Sequence, residues 1–162
     1  MRFLIACGAS AGHIYPGVAA ADALKALLPG SEFLFVGAGH AMEKRLVPEA
    51  GYELRNIPMT GLERRITPSN LAHDARALWL LGAAMPRARR ILRSWRPDFV
   101  LGTGGHICYP VLTAAAHRGI PTAIHNSDAL PGLTSVLLSK TVTRVFTGFP
   151  DTESAYRDPS RV

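Results

Sequence analysis

Two glycine-rich loops constrain the fold of this chain more than any other feature of its sequence. An apolar run at 3–7 leads into Gly8-Ala-Ser-Ala-Gly-His13, and a second run at 99–101 leads into Gly102-Thr-Gly-Gly-His106. A strand that stops at glycines before a helix can bring backbone N–H groups and a helix N-terminus close to an anion. Such glycines can also simply form tight strand-to-helix turns. Because each loop has a histidine directly after its last glycine, the pair favours a ligand site.

A third polar segment follows the next apolar run of the chain. The run at 122–124 ends in His125, Asn126, Ser127 and Asp128. These four side chains can donate or accept hydrogen bonds, and His125 and Asp128 can also take up a proton. Packing alone does not account for such a cluster, so the sequence predicts a second functional loop beside the first.

Strand and helix patterns alternate along the whole chain, which is typical of a parallel sheet with helices on both faces. Apolar runs predict strands at 2–7, 32–36, 53–57, 98–101, 122–124 and 142–146. Helical patterns occupy 15–28, 41–50, 69–95, 108–118 and 133–140. The simplest arrangement is a Rossmann-like, doubly wound α/β fold with strand order 3-2-1-4-5-6. In this order the two glycine loops open into one crevice, and the loop at 125–128 borders it.

Length and composition fit a single domain of this kind. The chain has 162 residues, of which 48% are hydrophobic, enough for a proper core. Cys7 and Cys108 lie far apart and belong to no metal-binding spacing, so we expect reduced thiols. The apolar run at 3–7 is too short for a signal peptide, and the sequence contains no run of 18 apolar residues, so neither secretion by that route nor a membrane span is expected.

Two common nucleotide-binding loops do not match the sequence. The first glycine loop is not Gly-x-Gly-x-x-Gly, and the second strand ends at Val36-Gly37 without a carboxylate for a ribose diol. The chain also lacks the Gly-Lys-Ser/Thr of a Walker loop and an Asp-x-Asp motif. The sequence therefore disfavours NAD binding, and we expect neither a cofactor nor a metal.

The formal net charge of +6 points to an anionic partner, which could be a nucleic acid, an acidic lipid or a phosphorylated substrate. The charge is concentrated near the end of the long helical pattern, beyond Pro86, which we expect to kink or interrupt that helix. Apolar residues next to arginines suit an anionic membrane surface; an ordinary amphipathic helix with solvated arginines is the alternative. Nucleic acid is disfavoured because no nucleic-acid motif accompanies the charge. The residues expected to face the membrane are Leu78, Trp79, Leu80, Leu81, Arg87, Arg89 and Arg90.

Four segments resemble the N-terminal half of the MurG family of bacterial glycosyltransferases. They are Gly-Ala-Ser-Ala-Gly-His-Ile-Tyr-Pro-Gly at 8–17, Met-Glu-Lys-Arg-Leu-Val-Pro at 42–48, Arg-Pro-Asp-Phe-Val-Leu-Gly-Thr-Gly-Gly at 96–105 and the segment at 119–134. They occur in the family's order and spacing and cover essentially the whole chain. Members of the family transfer N-acetylglucosamine from UDP-N-acetylglucosamine to lipid I, giving lipid II for peptidoglycan synthesis.

The resemblance implies one half of a two-domain GT-B glycosyltransferase. Residues 1–162 would form the acceptor-binding domain, docked as a peripheral protein on the cytoplasmic face of the cell membrane. The donor-binding domain would begin just after Val162 and is expected to be absent from this chain, which alone would not turn over. Two other classes stay open: a non-catalytic half that recruits a separate donor-binding chain, and a transferase of the same fold with another lipid-linked or natural-product acceptor.

The resemblance also implies roles for individual residues in an inverting, metal-independent transfer. His13 would act as the base or orient the acceptor, although a histidine that only caps its turn is the alternative. The donor side of the cleft would contain Ala9, Ser10 and Ala11. The acceptor diphosphate and its loop would contact Gly102, Thr103, Gly104, Gly105, His106, His125 and Asn126.

The chain departs from the family pattern in the loop at 125–128. The family usually has His-Glu-Gln-Asn where this chain has His125-Asn126-Ser127-Asp128. Asn126 replaces the customary glutamate, and Asp128 replaces an asparagine that contacts the donor. Asp128 is therefore an alternative base as well as a donor-side residue. His106 stands where tyrosine is common.

Overall fold

The chain forms a six-stranded parallel sheet with helices on both faces. The structure is a computed structural model that describes residues 1–59, 71–156 and 158–162. For residues 71–79, 81 and 159 it describes the backbone only. The strand order is β3-β2-β1-β4-β5-β6, and every strand pair is parallel, which confirms the prediction. The strands are β1 (Arg2–Ala6), β2 (Glu32–Gly37), β3 (Glu53–Asn56), β4 (Phe99–Gly102), β5 (Thr122–Asn126) and β6 (Arg144–Thr147).

The helices are α1 (Ala11–Leu27), α2 (Ala41–Glu49), α3 (Leu71–Trp95), α4 (Cys108–Ala116) and α5 (Leu133–Leu138). Two short 3-10 helices follow β6, at Pro150–Ala155 and Pro159–Arg161. The long helix α3 comes between β3 and β4 in the sequence. Strand β4 then pairs in parallel with β1.

The core has two layers because successive side chains of a strand point to opposite faces of the sheet. On one face Leu4 and Ala6 belong to a cluster that includes residues of α3, α4 and α5. On the other face Ile5 belongs to a cluster with Ile14 of α1 and Val47 of α2. Since β1 is buried on both faces from Phe3 to Ala6, these four residues form an unbroken apolar run.

Several predicted boundaries shift in the structure. Helix α1 begins at Ala11, four residues before the predicted start, because the Ser10 carbonyl already accepts the amides of His13 and Ile14. Pro16 therefore lies inside the helix instead of in its first turn. Strand β6 begins two residues later than predicted, since the Val142 amide closes a turn onto Leu138.

Other boundaries change less. Strand β5 continues through Asn126, so His125 and Asn126 are strand residues rather than loop residues. Helix α3 runs without interruption through Pro86, and the predicted start of this helix at residue 69 lies outside the described residues. Helices α4 and α5 each end two residues before the predicted position.

Cys7 and Cys108 are free, buried thiols, as expected from their spacing. Burial raises the pKa of both thiols, that of Cys108 to about 12. None of the described helices is long and apolar enough to cross a membrane.

Candidate active site at the carboxyl edge of the sheet

The two glycine loops touch each other at the carboxyl ends of β1 and β4, as the strand order predicts. The Gly8 amide donates a hydrogen bond to the Gly104 carbonyl at 3.1 Å. A Cβ atom at Gly105 would lie 2.9 Å from the Gly8 Cα atom, and Gly105 has a φ of +84°. Only glycine allows so close a backbone approach in this conformation. The loops therefore form one continuous backbone surface.

His13 lies in the first turn of α1 with its ring against Gly104. A Cβ atom at Gly104 would be 2.2 Å from His13 Cδ2. The His13 Nδ1 atom lies 3.0 Å from the Gly8 carbonyl oxygen and 3.1 Å from Ser10 Oγ. Because a carbonyl can only accept, this network assigns the proton of the neutral ring to Nδ1. The lone pair on Nε2 is then available to take up a proton from a ligand.

Thr103 fixes β4 to the first turn of α1. Its hydroxyl donates to the His13 carbonyl at 2.6 Å, and its amide donates to the Ala6 carbonyl at 2.9 Å. The residue is buried. Both donors are thus occupied within the protein, whereas the described residues supply no acceptor for the amides of Gly104 and Gly105.

We expect Thr103→Val to lower the free energy of unfolding by about 1 kcal/mol, because the buried hydrogen bond to the His13 carbonyl is lost at nearly constant volume. Urea denaturation of the purified chain measures this change. Thr103→Ser, which keeps the hydroxyl, is the matched control. An equal loss in both variants would show that repacking around residue 103, and not the hydrogen bond, accounts for the effect.

The loop after β5 lies over the start of α1. Asn126 is buried, and its Nδ2 donates to the Asp128 carbonyl at 2.7 Å, which fixes the turn at 126–128. Ser127 Oγ lies 3.5 Å from the Gly12 carbonyl, whose usual helical donor at position 16 is a proline without an N–H. The Asp128 side chain is exposed. His125 is partly buried, and burial lowers its pKa.

An apolar pocket of about 660 Å³ adjoins the cleft on the α1 face of the sheet. His125 and Thr103 line its end near the cleft, together with apolar residues that include Phe99, Leu101 and Phe146. Because most of the lining residues are apolar, this pocket has few groups that could take part in acid–base or nucleophilic catalysis. The polar groups of the candidate site lie at the carboxyl edge of the sheet.

His106 follows the second glycine loop and packs edge-on against His40, with ring centroids 5.9 Å apart. The Nε2 atoms of both rings are buried without a hydrogen-bond partner among the described residues. Burial lowers the pKa of His106, and the nearby Met59 carbonyl opposes this effect. Burial therefore favours the neutral form of this imidazole beside the start of α4.

Glu43, which sequence reasoning did not assign to the site, is buried behind the first loop. Its carboxylate accepts the amides of Ala9 at 2.7 Å, Gly39 at 2.7 Å and His40 at 3.0 Å. The sequence feature that could have indicated this role is the position of Glu43 three residues after His40. A glutamate at this position often accepts the backbone amide of the residue that precedes a helix.

The arginine-rich part of α3 is amphipathic. Ala84, Ala88 and Leu92 are buried at intervals of four residues, whereas Arg87, Arg89 and Arg90 are exposed. Leu80 is partly buried. The side chains of Leu78, Trp79 and Leu81 lie outside the described part of the structure. Membrane contact by this helix stays a prediction.

Within residues 1–59, 71–156 and 158–162, no group of three or more histidine, cysteine or acidic side chains is arranged to hold a metal. The site residues that the structure brings together are therefore backbone amides, imidazoles and one buried carboxylate.

Comparison with known proteins places this arrangement in a family. Residues 3–147 match the glycosyltransferase family 28 N-terminal domain. Two similar proteins are each named UDP-N-acetylglucosamine--N-acetylmuramyl-(pentapeptide) pyrophosphoryl-undecaprenol N-acetylglucosamine transferase. The Acetivibrio thermocellus protein is 39% identical over 162 residues, and the Desulforudis audaxviator protein is 43% identical over 161 residues. The alignments cover 100% and 99% of this chain but only 43% and 42% of those proteins.

Solved structures with the same fold agree with this result. The Acinetobacter baumannii MurG crystal structure has a TM-score of 0.78 and 26% identity, covering 93% of this chain and 42% of that one. A UDP-GlcNAc 2-epimerase from Neisseria meningitidis has a TM-score of 0.70 at 14% identity, covering 100% and 45%, so that its likeness concerns the fold alone. Since the family match extends over nearly all of the sheet and both glycine loops, the chain belongs to glycosyltransferase family 28 and contains its N-terminal domain.

Proposed function

We propose that this chain is the acceptor-binding domain of an N-acetylglucosaminyltransferase that converts lipid I into lipid II. The proposal rests on one observation above all: two touching glycine loops present backbone amides beside a histidine whose Nε2 is available as a base. The names of the similar proteins supply the substrate class. The chain spans less than half the length of those proteins, so the complete reaction requires a second, donor-binding half.

In the proposed reaction His13 Nε2 accepts the proton of the muramoyl 4-hydroxyl of lipid I. The hydroxyl oxygen then forms a bond to the anomeric carbon of N-acetylglucosamine, and the bond from that carbon to the β-phosphate of UDP breaks. UDP leaves with the electron pair, and the configuration at the anomeric carbon inverts. The Gly8 carbonyl stabilises the resulting imidazolium by accepting its Nδ1–H.

Phosphate charge would be stabilised mainly by backbone groups. The amides of Gly104 and Gly105 have no acceptor among the described residues, and α4 begins three residues after Gly105. Amides and a helix N-terminus together favour an anion such as the acceptor diphosphate. We therefore propose a metal-independent site in which Gly102 and Thr103 support the loop, since the Thr103 amide is already bonded to Ala6. The backbone of Ala9, Ser10 and Ala11 would face the donor.

We assign the base to His13 and a donor contact to Asp128, because Asp128 is exposed at the rim of the cleft. In an assay that supplies the donor-binding half, Asp128→Ala should raise the KM for UDP-N-acetylglucosamine about tenfold, as expected for one lost charged hydrogen bond. The kcat should change less than about threefold. A kcat reduced by two orders of magnitude or more would instead assign the base to Asp128.

We further propose peripheral binding to the cytoplasmic face of the bacterial cell membrane. The net charge of +6 and the exposed Arg87, Arg89 and Arg90 would attract an anionic surface. Sedimentation with vesicles containing about 30% anionic lipid, with neutral vesicles as control, tests this part of the proposal. Equal partitioning with both kinds of vesicle would contradict it.

Calorimetry of the purified chain tests the acceptor assignment. We expect a soluble lipid I analogue to bind, His13→Ala to weaken that binding, and UDP-N-acetylglucosamine to bind poorly. If the analogue binds poorly and another lipid-linked sugar binds, the acceptor is a different one. The altered loop at 125–128 would agree with that result. Binding of the analogue without turnover after the donor half is supplied would favour a non-catalytic, recruiting half.

A further inference from the structure

We propose that Glu43 is a positioning residue that sets the tautomer of His13 through the peptide group between Gly8 and Ala9. The proposal deepens the function proposed above and rests on His13 being the base. Glu43 does not touch the reacting atoms in this scheme. It acts through a peptide, in the way that a carboxylate hydrogen-bonded to a catalytic histidine holds the ring in one tautomer.

One peptide group connects the two side chains. Its N–H, from Ala9, donates to Glu43 Oε1 at 2.7 Å. Its C=O, from Gly8, lies 3.0 Å from His13 Nδ1 and accepts the proton on that atom. Hydrogen bonds in such a chain polarise one another, so a carboxylate on the N–H side makes the carbonyl a stronger acceptor. The favoured tautomer of His13 therefore has its proton on Nδ1 and its lone pair on Nε2.

The same carboxylate holds the backbone of the loop in place. Ala9 has a φ of +49°, a left-handed conformation that costs an alanine about 1 kcal/mol or more. The bond to Glu43 stabilises the Ala9 peptide in this conformation. The Gly8 carbonyl also accepts the Ser10 amide at 2.7 Å, so this turn and the Glu43 bond together hold the carbonyl toward His13.

The surroundings of Glu43 leave little room for another arrangement. Its second oxygen, Oε2, accepts the amides of Gly39 and His40, and the side chain is fully buried. A Cβ atom at Gly37 would lie 2.6 Å from Oε2, so the end of β2 must be a glycine for the carboxylate to fit. Glu43 therefore ties the loop after β2 to the loop after β1.

The decisive readout is the tautomer of His13, measured from the ¹⁵N chemical shifts of its ring at about pH 8, where a typical imidazole is mostly neutral. In the unmodified chain we expect the Nδ1–H form to predominate. In Glu43→Gln, which keeps the shape but has one acceptor oxygen instead of two, we expect the ratio of Nδ1–H to Nε2–H forms to fall about fivefold. Exchange of the Ala9 amide should accelerate about tenfold.

Glu49→Gln is the matched control, because it removes the same charge from an exposed position of α2. It should leave the tautomer ratio and the Ala9 amide unchanged. Glu43→Asp keeps the charge but is too short to reach both loops, so it should resemble Glu43→Gln. A purely structural glutamate would lower stability in both Glu43 variants without changing the tautomer, and that result would overturn the proposal.

The role of Glu43 can also be tested if Glu43→Gln does not fold or if lipid I analogues do not bind. If Glu43→Gln does not fold, a predominant Nε2–H form of His13 in the unmodified chain still overturns the proposal. With the donor half supplied, Glu43→Gln should lower kcat about tenfold and change KM less than about threefold. If lipid I analogues fail to bind while the tautomer responds as expected, the function proposed above fails and the role of Glu43 stands.

Discussion

Replacing His13 by alanine should lower kcat by about 10² to 10⁴-fold in an assay that supplies the donor-binding half, either in one polypeptide or as a separate chain. This is the range expected for the loss of a general base. Within the part of the chain that the structure describes, the ring's hydrogen bonds are a partly buried one to the Gly8 carbonyl and an exposed one to Ser10, both at Nδ1, so the variant should still fold. A soluble lipid I analogue and UDP-N-acetylglucosamine are the substrates for the measurement.

His117→Ala is the control for this experiment, since His117 is exposed and lies at the opposite end of α4 from the second glycine loop. It should turn over within about twofold of the unmodified protein. A His13 variant that keeps more than a tenth of the activity would show that another group takes the proton. Asp128→Ala in the same assay would then identify whether that group is Asp128.

Gly104→Ala should damage the site as severely as the loss of His13, by a different route. The new Cβ atom would lie 2.2 Å from His13 Cδ2, so the ring must leave its place against the loop. The φ of +121° is also unfavourable for any residue with a side chain. We expect turnover to fall at least 100-fold, because the displaced Nε2 no longer meets the acceptor hydroxyl. The free energy of unfolding should fall by about 3 kcal/mol, as measured by urea denaturation.

Gly119→Ala separates backbone strain from crowding. Gly119 also has a positive φ, +70°, but a Cβ atom there would meet no atom within 4 Å. This variant should lose about 1 kcal/mol of stability and keep its activity. If Gly104→Ala and Gly119→Ala behave alike, strain alone accounts for the effect, and the contact between Gly104 and His13 has no special role.

The fold followed from local patterns because each pattern reports burial directly. Strand β1 is apolar from Phe3 to Ala6 because this part of it is covered on both faces, and the alternation of strands with helices leaves few topologies open. The order 3-2-1-4-5-6 predicts that the two glycine loops are neighbours, and the hydrogen bond between Gly8 and Gly104 agrees with it. Boundaries were less predictable, as β6 illustrates: Val142 is as apolar as a strand residue, but its amide closes a turn.

The candidate site was predictable only in part. His13 and the glycine loops carry a signal in the sequence, because two such loops occur on two strands and each has a histidine directly after its last glycine. Thr103 was expected to bind the acceptor, yet its amide and hydroxyl bond to Ala6 and His13. The conformation of the backbone decides whether the amide of Thr103 or that of the next residue, Gly104, bonds within the protein. Residue type alone does not specify that conformation.

The sequence by itself determined the architecture, the family and the position of His13, since all three depend on periodicity and on short segments contiguous in the chain. Only the tertiary structure decided which atoms of these segments meet. The path from Glu43 through the Gly8–Ala9 peptide to His13 consists of two hydrogen bonds, one between residues 34 apart along the chain and one between residues 5 apart, with distances of 2.7 and 3.0 Å. Hydrogen bonds between separate loops follow from the packing of whole helices and strands, so they become visible only after the chain has folded.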